Sequence, residues 1–524
     1  MSSSTNYSSP TITSPVVQQD HEVRTALARV HLSARQLLVL VFFLVIFTGA
    51  ARPITDPDFW WHLKTGQLVV ETGAIPHSDI FSSLHFGKEW IAHEWLSEVV
   101  MYSVYRSLGN GGLIVLFALV ITTAFLVVYQ RYRQRVGHPY IAGFALLLGA
   151  FATLPTWGVR PQMFSLLFAS IFLAILDNYT RNGRERCLWW LVPLTVCWVN
   201  VHAGFALGIG LVLLTIVGLA VESLLSRGES LKTVWRTIRP LSVILLVCLA
   251  AVIVNPNGVR IYSYPFETLK SHAMMKYISE WWSPDFHEPM FQALALLIFS
   301  TFGALALSRK RVSLRELLLL AATGVAALRS GRNVPFFALV AIPLLAEHSW
   351  DWISAQRWGQ WLTRPEKREA GQNAAIKVAL NIVLLVIAPL GLVLTRVAQS
   401  AANQPLITSQ QFPTAAVDYL AAQKLPQPIY NEYGWGGYLI WRLYPNYRVC
   451  IDGRADVYGD EFLGEFLMVH DGETRWQEPL NRYGIRTVLV KPDAAIASLL
   501  RQDAGWQNVF EDSQAVIFTK RQKP

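Results

Sequence analysis

Charge is scarce in this chain: Asp, Glu, Lys and Arg make up 15% of its 524 residues, where soluble domains carry roughly 25%. A water-soluble chain of this length needs more charge to cover its surface, and the 52% apolar content excludes that class from the other side. Cysteine is rare too. Cys187, Cys197, Cys248 and Cys450 are scattered, with neither metal spacing nor a disulfide framework. No phosphate-binding loop is present, because Gly434-Trp435-Gly436-Gly437 lacks the Lys-Ser/Thr ending. No nucleotide cofactor is therefore expected. No repeat relates two halves of the chain, as it does in many transporters. No cleavable signal is expected either, since the first apolar run starts late and continues as an anchor. The net charge of +9 does not point to nucleic acid: its basic residues gather in alternate loops, where topology and anionic lipid account for them.

What the chain has instead is long apolar runs. About eleven approach the length that crosses ~30 Å of hydrocarbon, centred near Val41, Leu119, Leu147, Leu167, Thr195, Leu213, Leu246, Ile298, Ala321, Ala341 and Leu385. The 19 Trp and 18 Tyr suit interfacial belts. Basic residues at every second boundary (Arg24/Arg29/Arg35, Arg131/Arg133/Arg135, Arg181/Arg184/Arg186, Arg227/Lys232/Arg236/Arg239, Arg309/Lys310/Arg311, Arg364/Lys367/Arg368) predict a cytoplasmic amino terminus and an outer carboxyl terminus. The fold class expected is mainly α, a polytopic membrane helical protein of the plasma membrane. Residues 1–35 read as a disordered cytoplasmic tail, 36–396 as the transmembrane domain and 397–524 as a small extracytoplasmic α/β domain. In that last domain, strands are predicted at Pro428–Tyr430, Arg448–Ile451, Thr487–Val490 and Ala515–Thr519, with helices at Thr414–Gln423 and Glu461–Val469. The Trp-rich stretch after Ser349, through Trp358 and Trp361, reads as an inner interfacial helix.

With that topology the unusual polar residues collect on the outer side. The first outer loop, 51–109, holds Asp56, Asp58, His62, Lys88, His93 and Glu94. Its two helically spaced stretches, Phe59–Val70 and Trp90–Tyr105, are too polar to span and read as amphipathic interfacial helices. Other outer turns bring Arg160-Pro161-Gln162, Asn200-Val201-His202, Glu280-Trp281-Trp282-Ser283-Pro284-Asp285, Arg329 and Arg332-Asn333. Ionisable groups at membrane depth are costly unless they face a wet cavity or a partner. One outward-facing cavity would account for all of them, although Arg160, Arg260 and Asp285 taken singly equally fit snorkelling or structural pairing. Asp452-Gly453-Arg454-Ala455-Asp456 is the most polar cluster of the last domain. A turn with an internal salt bridge is the favoured reading there, acceptor or cation binding the other.

The order of tail, single span, long loop opening with Asp56-Pro57-Asp58, multispan body and outer carboxyl-terminal domain resembles the GT-C superfamily of integral membrane glycosyltransferases. Pro57-Asp58 through Gly66, Glu71, Gly73 and Pro76 is similar to the first loop of its aminoarabinose and protein mannosyltransferase branches. The resemblance implies inverting transfer of a sugar from a polyprenyl-phosphate carrier to an extracytoplasmic acceptor, at the surface of the bilayer. Such chemistry needs a base for the acceptor hydroxyl and cations for the departing phosphate. Asp58 is the candidate base and Asp56 the alternative; Asp58 also fits an N-cap of the helix that follows. Phe59 stands where relatives commonly have Glu, and Ala92-His93-Glu94-Trp95 where they carry Lys and prolines. His93 or Lys88 is expected to replace that Lys. Arg329 and Arg332 are the candidates for the phosphate because a guanidinium donates in a fixed fork, with His202 beside them. His62, Glu94, Arg160, Asn200, Glu280, Trp281 and Asp285 are candidates for holding substrate. Asp56, Asp58, His62, His93 and Glu94 leave a divalent cation, Mg2+ or Mn2+, open. A transporter or flippase, or a non-catalytic protein that binds the lipid carrier during assembly, are the rival classes.

Overall fold

The computed structural model describes residues 34–226, 228–359 and 383–521. The amino-terminal tail and the Trp361 end of the interfacial stretch lie outside them. Every one of the eleven apolar centres falls in a helix. Among the described residues, six helices are long and apolar enough to cross a membrane: Trp95–Tyr132, Pro139–Thr156, Gln162–Asn182, Phe205–Leu225, Leu231–Ala251 and Pro289–Leu307. The remaining five centres lie in helices that are shorter or more polar. That around Thr195, Leu191–Val201, has 11 residues, and Val334–Ala355 carries Glu347, His348 and Asp351. Leu246, Phe299 and Val325 point out of the bundle at 67%, 75% and 68% exposure, as side chains do where lipid is the solvent.

One end of the bundle is held by ion pairs. Asp177 accepts from Arg131 Nε at 2.8 Å and lies 3.1 Å from Arg315 Nη2. Glu347 receives Arg135 at 2.6 Å and Lys310 at 2.8 Å. Four helices meet there. Because Asp177 and Arg315 are both buried, removing one partner strands the other's charge. Asp177→Ala is expected to destabilise the protein by about 3–5 kcal/mol, read as earlier thermal unfolding in detergent. An unchanged unfolding curve would mean the network carries no stability.

The first long loop contains the helix Phe59–Thr72, an irregular stretch, and the helix Trp95–Tyr132. The latter breaks at Gly109, whose φ of 62° and ψ of −160° turn its amphipathic first part into the spanning part. Helix formation starts at Trp95 rather than Trp90. Residues 89–90 pair instead with His77 and Ser78, Trp90 N–H donating to His77 O at 3.0 Å. The two helices pack so closely that a Cβ on Gly66 would stand 2.0 Å from Glu98 O.

The carboxyl-terminal region forms a sheet of β1 Ile429–Asn431, β2 Thr487–Val490, β3 Trp506–Glu511 and β4 Val516–Lys520, in the order β1-β2-β4-β3. The β1–β2 pair is parallel and the others are antiparallel. Residues 448–451, expected as a strand, lie outside this sheet. Val449 pairs instead with the first long loop, its N–H donating to Phe81 O at 3.0 Å and its carbonyl accepting from Ser83 N–H at 2.8 Å. β3 was not anticipated, since only Trp506 of its residues is fully buried and the strand lacks a clean alternation. The helix Ala388–Gln411 runs through the expected 396/397 boundary. A further helix, Gly436–Leu443, lies against Phe59–Thr72, with Trp60 edge-on to Tyr438 and Phe412. Gly437 serves this approach, since a Cβ there would meet Pro57 O at 2.7 Å, while Gly436 packs within its own unit, where a Cβ would stand 2.1 Å from Ile451 O.

Candidate functional site

A cavity of about 600 Å³ opens where the first long loop, four inter-helix segments and the α/β unit meet. Asp56, Asp58, His62, His93, Glu94, Arg160, His202, Glu280, Trp281 and Arg332 all line it. Four expected residues do not. Lys88 sits on an exposed turn of the first loop, and Arg329 is exposed at the end of its helix. Asp285 is exposed and binds His287 Nδ1 at 2.8 Å. Asn200 is buried as a strut, accepting from Trp95 Nε1 and donating to Val254 O, at 2.9 and 2.8 Å.

Asp58 precedes the helix Phe59–Thr72 without capping it by its side chain. Its own N–H donates to Asp56 Oδ1 at 2.9 Å. Its carboxyl lies against Gly453 of the α/β unit. Burial, and next the charge of Asp56, push Asp58 up to about 7, against the opposing pull of His62 and Arg160. Asp56 Oδ2 lies 2.9 Å from Arg160 Nε in an ion pair, and the same guanidinium forks onto Glu280, with Nη2 donating to Oε2 at 3.1 Å. Arg160 is thus fully engaged, and the two carboxylates outweigh its burial to keep it charged.

Glu94 is the hub of the opposite wall. His62 Nδ1, His93 Nε2 and His202 Nε2 lie 3.4, 3.4 and 3.3 Å from its oxygens. His202 Nδ1 accepts from Gly204 N–H at 2.8 Å. Ser165 Oγ, which itself accepts Trp198 Nε1–H, stands 2.8 Å from the same nitrogen. The network therefore assigns the proton to His202 Nε2, facing Glu94. Burial holds this imidazole neutral, down to about 3. His93 hydrogen-bonds Ile91 O through Nδ1 at 3.1 Å; burial opposes its charge, but Glu94 outweighs that and raises it. Its Nε2 accordingly faces Glu94 rather than the open cavity. Despite its own burial, Glu94 stays well below the usual carboxylate range because the histidines favour its anion.

Arg332 differs from the other cations. Among the described residues lining the cavity, no carboxylate lies within ion-pair distance of it. Its guanidinium stacks 4.4 Å from the ring centre of Trp281, and burial lowers its proton affinity, Glu280 partly opposing.

Glu98 was not anticipated. It lies one helical turn after Glu94 on the same face, an acidic group in an apolar pattern, and that spacing was the available signal. His62 Nδ1 bonds its Oε1 at 3.0 Å, while Oε2 is buried without a partner. His62, Glu94 and Glu98 offer ligand atoms within 4.8 Å of one another and are the residues that could hold a divalent ion. One imidazole with two carboxylates is a mixed donor set, which suits Mn2+ or Zn2+ better than Mg2+. The orphaned Glu98 oxygen fits such an ion.

From the α/β unit come Tyr433, Gly453, Arg454 and Asp456. Arg454 makes the internal salt bridge expected of this cluster, to Asp452 at 2.7 Å, and a second to Asp79 at 2.9 Å. Asp456 faces the cavity. Burial raises its proton affinity, with His93 opposing.

No protein-family model matches the chain, and no characterised protein matches it by sequence. Solved structures do match in shape. ArnT from Cupriavidus metallidurans, in a crystal structure bound to undecaprenyl phosphate, aligns over 93% of this chain and 98% of its own at 17% identity, with a TM-score of 0.50. The archaeal oligosaccharyltransferase AglB from Archaeoglobus fulgidus, in complex with an inhibitory peptide and a dolichol-phosphate, aligns over 86% of this chain and 69% of its own. Its identity is 11% and its TM-score 0.51. At such identities the likeness is one of architecture, and the chain shares the fold of these two proteins.

Proposed function

We propose that this protein transfers a sugar from a polyprenyl-phosphate carrier to an acceptor hydroxyl on the outer side of the plasma membrane, with inversion at the anomeric carbon. The observation that carries the reading is the pairing, in one cavity, of a carboxyl poised near neutrality with a guanidinium free of carboxylate partners. A base works best when its proton affinity lies near the working pH. Asp58 meets that condition. It takes the acceptor proton as the acceptor oxygen bonds to the anomeric carbon and the carbon–phosphate oxygen bond breaks. Arg332 receives the charge that develops on the departing phosphate.

The other groups hold these two in place. Asp56 and Glu280 keep Arg160 occupied, and the His62, His93, His202 and Glu94 set forms the wall between. His93 and His202 were candidates for the phosphate; in this arrangement both face Glu94, which leaves the phosphate to Arg332. A divalent ion at His62, Glu94 and Glu98 would supply further positive charge to the site. The carriers held by ArnT and AglB are the chemical class expected of the donor here.

The test is transfer of radiolabelled sugar in proteoliposomes from a panel of polyprenyl-phosphate and polyprenyl-diphosphate donors. Turnover with a monophosphate-linked donor is the expected result. Saturable binding of polyprenyl phosphate with no turnover from any donor would instead make the protein a carrier-binding assembly factor.

A further inference from the structure

We infer that the Asp452–Asp456 loop of the α/β unit is a wall of the reaction site, and that Gly453 is the positioning residue for the Asp58 carboxyl. What Asp58 does is taken from the transferase reading above; where Asp58 is held is a matter of packing. A Cβ built on Gly453 would stand 1.7 Å from Asp58 Oδ1, 2.6 Å from its Cγ and 3.1 Å from Oδ2. The backbone therefore lies flat against the carboxyl group. Gly453 does not have a left-handed φ, so glycine is needed here for space and not for conformation.

The loop has no room to retreat. Asp452 and Arg454 are buried at 0% and 2% exposure. Arg454 is clamped by Asp452 and Asp79, with Phe81 and Trp90 ring centres 5.0 and 4.6 Å from its guanidinium carbon. Tyr458 donates to Asp452 at 2.6 Å, and Asn431 Nδ2 donates to Ile451 O at 2.8 Å. The clamp crosses from the α/β unit to the first long loop, so the segment that carries Gly453 is tied to the loop that carries Asp58. The backbone at 453 also takes the place of water beside the carboxyl. That leaves Asp58 facing Asp56, His62, Arg160 and Tyr433 as its titratable neighbours.

Since the loop cannot yield, a methyl group at 453 displaces the carboxyl into the cavity. Misplacement of a catalytic group by an ångström costs about 10²-fold in rate. The experiment compares Gly453→Ala with Gly464→Ala in the full-length protein in proteoliposomes. Gly464 sits on the exposed face of the helix Asp460–His470, with open space where a Cβ would go, and its variant is expected to match wild type. For Gly453→Ala, kcat is expected to fall about 10²-fold while KM for the lipid donor stays within about twofold. The acid limb of the pH–rate profile is expected to move to lower pH, as the carboxyl gains water. Wild-type kcat together with an unmoved limb would overturn the proposal.

A second readout does not depend on turnover. Carbodiimide reacts with protonated carboxyls, and mass spectrometry of Asp58 labelling against pH gives its midpoint directly. A lower midpoint in Gly453→Ala supports the positioning role even if wild type transfers no sugar, in which case only the transferase reading falls. An unchanged midpoint overturns the role whatever the activity. If Gly453→Ala does not fold, Asp79→Asn takes its place in both measurements. That variant loosens the clamp from the far side without adding an atom beside Asp58.

Discussion

Asp58→Asn is expected to lower sugar transfer by about 10²–10⁴-fold, the range spanned by loss of a general base, with binding of the lipid carrier retained. The substitution keeps the shape of the side chain and removes only its capacity to take a proton. Measured in proteoliposomes, kcat should carry the loss and KM should not. The wild-type rate should have an acid limb near pH 7, because Asp58 is held at about that value and works only as the anion. The direction of a second shift follows from the same neighbours. Asp56 is a like charge that raises Asp58, and it also draws the Arg160 guanidinium toward itself. Removing it in Asp56→Asn leaves Arg160 freer to favour the Asp58 anion, so the acid limb should move to lower pH. A limb that stays in place, or an Asp58→Asn variant with full activity, would remove Asp58 from the chemistry and return the choice of base to Asp56, the alternative that the sequence offers.

Arg332→Ala should be nearly as damaging, with a loss of about 10²–10³-fold, as expected when a preorganised charge facing a departing oxyanion is deleted. Arg332→Lys should recover only part of it. A lysine supplies the charge but neither the fork nor the flat face that stacks on Trp281. Arg329→Ala serves as the comparison, since that side chain is exposed at the helix end and does not line the cavity. If Arg329→Ala is the damaging variant and Arg332→Ala is not, the phosphate is bound elsewhere than the cavity wall. Both substitutions are read in the same transfer assay, with a donor titration to separate affinity from turnover.

Much of this architecture can be read from local pattern. Apolar runs mark the bundle because hydrocarbon tolerates little else over that length, and the Asp56-Pro57-Asp58 signal sits at the mouth of the cavity that the polar turns were expected to share. Arg160, Glu280, Trp281 and Arg332 are brought to that cavity from separate turns, which the cost of lone ions at membrane depth makes understandable. The errors have physical sources. Asn200 and Asp285 have the right chemistry in the right turns, but a side chain one or two positions along a turn points elsewhere. Lys88 lies in the right loop, but on a reverse turn that exposes it. Residues 448–451 do look like a strand, and their Val449 does pair with another backbone; the partner belongs to the first long loop and not to the sheet. Gly453 carried no signal at all. Its reason for being glycine is a carboxyl contributed by a distant part of the sequence, and neither periodicity nor spacing registers such an approach.

The backbone pairing between Ser83 and Val449 joins positions 366 residues apart. Chains emerge from the ribosome amino end first and fold as they do so. The helical bundle can therefore be inserted and packed while the Asp58 carboxyl still lacks one of its walls. In the reaction proposed above, competence then waits for the segment around Arg454, so a truncated or stalled chain would be anchored in the bilayer with its Asp58 carboxyl still lacking that wall.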